Sequence, residues 1–242
     1  MDQHILKYGV DVFPPLNVRD ETTRANDLFR ELNTSWPEVF QELSFRPDTN
    51  EFQILSSFQM REGTAKMATV TLTPRGPAFA FPLRFGPLGM YEHKTEPEEV
   101  FLGSLAVIQE KFPGVQVLRV GLIRELVFST GRTLSAPYLA HRYGTFPGAE
   151  SRGGNTTISF RDDRCNIRVK IDTVEVRKQA RLPATRQVME EKLEYGLAVN
   201  FDVNNVEMTP QSISDIHRTL ERANSLWPKD LLDFLNWRKA TR

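Results

Sequence analysis

The side chains best suited to chemistry are few and scattered. The four histidines, His4, His93, His141 and His217, have no partners at ligand spacing, and there is no C-x-x-C or H-E-x-x-H pattern. No metal and no cofactor is therefore expected. Phosphate-cradling glycine loops and a G-x-S-x-G elbow are also missing. Cys165 stands beside Asp162, Asp163 and Arg164, where opposed charges give no activated thiolate, so it reads as a half-buried structural cysteine. Glu190, Glu191 and Glu194 read as a solvated helical turn, with Glu190 and Glu194 on one face.

One segment stands apart. Residues 129–154 show no hydrophobic period, and a connection of that length in a compact domain is often functional. It holds Arg132, Tyr138, His141, Arg142, Tyr143, Phe146 and Arg152. Rings, guanidinium groups and one imidazole together suit an anion or a peptide. Downstream, Arg168 and Lys170 alternate with apolar residues, so with Arg161 they fall on one exposed sheet face. Between residues 131 and 186 there are 11 Lys or Arg against 5 acids, although the whole chain is neutral, with 31 basic and 31 acidic residues. The expected binding residues are therefore Arg132, Tyr138, His141, Arg142, Tyr143, Arg152, Arg168 and Lys170.

These residues must be held by elements with clear periods. Residues 5–13 alternate as a strand that Pro14-Pro15 stop. A helix capped at Asp20 or Thr22 is expected to run to about Leu43, kinked or split at Pro37. Three alternating runs, 52–60, 68–72 and 79–85, predict an antiparallel meander with turns at Gly63 and Pro74–Pro77. A helix follows over about 98–112, then strands over 115–128, 155–160, 165–178 and about 195–203, with Asp162-Asp163 in a hairpin turn. A last helix starts at Thr209-Pro210 and resumes after Pro228 through Leu231, Leu232 and Leu235.

The helices share a pattern. Trp36-Pro37, Phe112-Pro113 and Trp227-Pro228 each follow apolar residues at −4, −7 and −11: Leu32, Phe29, Ala25; Ile108, Leu105, Phe101; Ala223, Leu220, Ile216. These positions fall on one helical face. The pattern suggests a duplication within one domain over 1–242, with halves 1–113 and 114–242 each built as strand, insert, three strands, helix. Either way the chain reads as α+β, with a mostly antiparallel sheet covered by helices.

Three segments resemble a sporadically distributed family of uncharacterised bacterial α+β proteins. They are Val120–Arg124, Leu197–Val203, and the helix with Ile216-His217 and a later aromatic near Trp227. The likeness covers about the second half of the chain, with Asn200 where that family usually shows an acid. It implies a fold and a bacterial source, and carries no activity.

Composition excludes other classes. With 40% hydrophobic and 26% charged residues the chain is not disordered. A single cysteine excludes a disulfide scaffold and fits a reducing cytoplasm. No apolar run approaches the roughly 20 residues a spanning helix needs, and Asp2 and Asp11 spoil a secretory signal. The leading expectation is a non-enzymatic binding or scaffolding protein. It would recognise a protein partner, or itself in a homo-oligomer, through loop 129–154 and sheet edges, away from any membrane. A nucleic-acid binder using the basic 131–186 stretch is the alternative. A third reading is an enzyme with His141 as general base.

Overall fold

A computed structural model describes residues 3–16, 22–46, 51–60, 63–85, 95–131, 155–181 and 188–228. Nine strands form one antiparallel sheet: β1 (Gln3–Phe13), β2 (Glu42–Arg46), β3 (Glu51–Met60), β4 (Gly63–Thr73), β5 (Gly76–Phe85), β6 (Gln116–Gly131), β7 (Asn155–Arg161), β8 (Cys165–Arg181) and β9 (Val188–Asn205). The helices are α1 (Thr22–Ser35), α2 (Pro97–Lys111) and α3 (Ile213–Ser225). The strand order is β2-β3-β4-β5-β1-β6-β9-β8-β7. The fold is thus α+β with an antiparallel sheet. The earliest strand, β1, lies inside it between β5 and β6.

Alternation decides which face is buried. Leu6, Tyr8 and Val10 of β1, Phe79 and Phe81 of β5, Leu122 and Leu126 of β6, and Val199, Phe201 and Val203 of β9 fall on one face and are buried. The helices lie against this face. Phe101 of α2 stacks on Tyr8 at 4.6 Å and meets Phe79 edge-on at 5.1 Å. Trp227, just past α3, meets Phe201 edge-on at 5.3 Å. Of the nine apolar positions repeated before the aromatic-proline pairs, eight are buried, and Phe29 is partly buried against the same core.

The structure corrects three expectations. The first helix stops at Ser35, and Leu43 lies on β2. Pro37 ends the helix rather than bending it, because it cannot continue the backbone hydrogen bonding. Val39 and Phe40 stay buried from the turn that follows, which is why helical spacing seemed to persist. Likewise Glu190, Glu191 and Glu194 lie on β9, where pairing with β8 overrides local helical spacing. The last helix also starts later than Thr209-Pro210. Ser212 caps it: its Oγ accepts from the Asp215 N–H at 3.2 Å while Asp215 Oδ2 accepts from the Ser212 N–H at 3.1 Å.

The β8–β9 hairpin outruns its neighbours. β7 pairs with β8 only as far as Asp172, and β6 pairs with β9 only back to Tyr195. Beyond those limits, among the described residues, β8 and β9 pair only with each other, out to Arg181 opposite Val188. Antiparallel order places this tip, the β3–β4 tip and the end of β6 at the same end of the sheet.

Candidate functional site

Arg132, Tyr138, His141, Arg142, Tyr143 and Arg152 lie outside the described residues, as does the resumed helix at Leu231, Leu232 and Leu235. Arg168 and Lys170 are described. Both are exposed on β8, on the face turned away from the helices. The register puts Arg161 on that face too, opposite Asn166.

That face is not uniformly basic. Lys170 pairs with Asp172 at 2.8 Å, Lys7 with Glu125 at 2.7 Å and Arg119 with Asp11 at 3.6 Å. Arg168 stands opposite Asp202 in the register. The cations thus face acids from their own sheet, which weakens the field a phosphate backbone would feel. At the centre, Gly9 of β1 lies directly opposite Gly121 of β6. With no side chains there, the sheet surface sinks into a depression of about 330 Å³, rimmed by Asp11, Arg119, Asp202 and Asn204.

The helix face holds a polar cluster that sequence reading missed. Arg124 sits on β6 between Leu122 and Leu126, at a position whose neighbours are buried. Its guanidinium lies 5.0 Å from the Trp227 ring and donates to Asn224 Oδ1 at 2.8 Å. Asn224 in turn donates to Glu98 Oε2 at 3.1 Å. An amide thus bridges a half-buried cation to a carboxylate and joins α2, α3 and the sheet. His4 stacks on Trp227 at 6.4 Å. Burial, and then the Arg124 charge, push its imidazole down to about 4, so it is neutral at pH 7. Burial and then Glu98 push the Tyr8 phenol up. The available signal was a charged residue in the apolar phase of β6.

A second missed residue is Asn205. β6 bulges at Leu118, because Arg119 pairs with Asp11 but Val117 pairs with Val12. Buried Asn205 serves the bulge: its Oδ1 accepts from Val120 N–H at 2.8 Å and its Nδ2 donates to Leu118 O at 3.0 Å.

Cys165 is fully buried, and burial followed by the Asp162 charge raises its thiol to about 11. It is no nucleophile at neutral pH. Asp162 caps the turn, accepting from the N–H groups of Arg164 at 2.9 Å and Cys165 at 2.6 Å. Desolvation opposes its ionisation, but those donors and Arg222 together hold its carboxyl below the usual range. Among the described residues no three His, Cys, Asp or Glu side chains gather as a metal site, and no helix is long and apolar enough to cross a membrane.

No family model matches the chain, and no curated protein matches it.

Proposed function

We propose that the chain is a non-enzymatic binding or scaffolding protein of the bacterial cytoplasm. It recognises a protein partner, or a second copy of itself, through the 129–154 segment and the adjoining sheet edge. The observation that carries this reading is topological. β6 ends at Gly131, and the next described element, β7, is the outermost strand on its side. The segment therefore leads straight onto a strand whose outer edge pairs with no other strand among the described residues, the kind of edge that accepts an added strand. The β8–β9 tip, next to β7 in the sheet, adds backbone at the end where β6 stops.

The duplication reading has support in the element order. With α1 and β2 taken together as its insert, the first half runs strand, insert, three strands, helix, as the described elements of the second half do around the 129–154 segment, and the first strands of the halves, β1 and β6, pair at the centre. Exposed Arg161, Arg168 and Lys170 on one face favour the nucleic-acid alternative, and the ion pairs on that face oppose it.

The test is affinity. A partner found by cross-linking is titrated by calorimetry against the wild type and a Y138A/H141A/R142A/Y143A variant. Loss of about tenfold or more in affinity is expected, since anchors of this type dominate interfaces. Unchanged affinity would sink the site. Nucleic acid that copurifies at low salt and is stripped at high salt would replace this reading with the alternative.

A further inference from the structure

β7 lacks the devices that usually protect a sheet edge. Its 7 residues pair with β8 in unbroken register, from Asn155 opposite Asp172 to Arg161 opposite Asn166. It contains no proline and no lysine, and its only charge is the last residue. Phe160, on the helix-side face with Ile167, is 48% exposed. The other edge differs. β2 has only 5 residues, with Glu42 and Arg46 at its ends. Natural proteins blunt bare edges with short length, charge, proline or bulges, so an edge without them implies a strand that covers it.

We infer that β7 pairs antiparallel with β7 of a second copy of this chain, about a two-fold axis at Ile158, joining the two sheets. This rests on the reading above and names its partner and edge. The sequence Asn155–Arg161 is self-complementary in that register. Ile158 meets Ile158 of the partner subunit. Thr157 meets Ser159 of the partner subunit, and Thr156 meets Phe160 of the partner subunit. Asn155 meets Arg161 of the partner subunit, so no like charges oppose. Hydroxyl pairs and aromatic–β-branched pairs are favourable cross-strand neighbours. An unrelated strand would need no such symmetry.

Charge adds a signature. Lys170 and Arg168 flank Thr157 and Ser159 on β8. Across the joint the two β8 strands lie three spacings apart, about 14 Å. Lys170 is paired with Asp172 and Arg168 stands opposite Asp202, so little net charge is left to repel across that distance. The dimer should therefore depend little on salt, whereas salt weakens nucleic-acid binding.

Sedimentation equilibrium on the full chain, over a wide concentration range and at two salt concentrations, tests the inference. The wild type should show a reversible monomer–dimer equilibrium. A T157E/S159E variant should dissociate about tenfold more readily at low salt, because each introduced carboxylate meets another across the axis. Both positions are exposed and sit beside Lys170 and Arg168, so the variant keeps its fold, checked by circular dichroism. Mixing it with T157K/S159K should restore dimers. A wild type that stays monomeric throughout overturns the inference; if it still binds a partner that the Y138A/H141A/R142A/Y143A variant loses, the proposed function stands. A dimer that T157E/S159E leaves intact overturns the β7 assignment.

Discussion

His4 connects residue chemistry to pH. Its folded value is about 4 against an ordinary 6.5. As pH falls from neutral, the unfolded chain therefore takes up a proton before the folded chain does, and the folded state loses ground. Stability should fall as pH drops from about 6.5 to about 4 and level off below, as far as this group is concerned. Asp162 and Asp215, both held low, act in a more acidic window. His4→Phe keeps a ring against Trp227 and removes the proton site. Urea unfolding across that window should show a shallower pH slope for this variant; an identical slope would contradict the assignment. Asn205 makes a sharper prediction. Asn205→Ala strands the Val120 N–H and the Leu118 carbonyl at the bulge, and should cost about 2–3 kcal/mol in the same measurement.

Helix and strand termini carry their own tests. Ser212→Ala breaks the reciprocal cap of α3 and should cost about 1 kcal/mol by urea unfolding. The glycines divide by what surrounds them. A Cβ on Gly9 would meet nothing within 4 Å, and glycine in a strand interior is entropically costly. Gly9→Ala should be neutral or stabilising by up to about 1 kcal/mol in thermal unfolding. Gly196→Ala should be clearly destabilising, because its Cβ would lie 2.4 Å from the Phe128 carbonyl oxygen. At this scale most of the fold was legible. Alternation over 52–60, 68–72, 79–85 and 165–178 predicted strands that exist, and Asp162-Asp163 predicted the turn. β2 was hidden because Val39, Phe40 and Leu43 continue the apolar spacing of α1 and face the same core, although none of them is helical. Pro37 held the answer.

Across the whole molecule the sheet is continuous. β1 and β6 pair along their length, and α2 and α3 meet over the central strands. The chain should therefore unfold in one step. Circular dichroism and tryptophan fluorescence should give coincident urea curves, and two separated midpoints would show independent halves. The candidate site was less legible than this frame. Arg168 and Lys170 lie on the exposed face as alternation required. Asp172, two residues from Lys170 on the same strand, was readable as its neighbour, but Asp202 reaches Arg168 through strand pairing that a linear charge count does not contain. Arg124 was missed for the same reason: its compensation comes from Asn224 and Trp227, distant in sequence.

The inner position of β1 shapes how the chain must be made. Both strands that flank it, β5 and β6, are translated long after it. Ribosomes add roughly 5–20 residues each second, so β1 waits for seconds with both edges bare. The local hairpins β3–β4 and β4–β5 can close at once, because their turns are short. Synthesis thus leaves a nascent meander beside a lone strand until β5 captures it, and β6 seals its other side last. That interval is when the growing chain is most open to mispairing, and when a holding chaperone would be of most use.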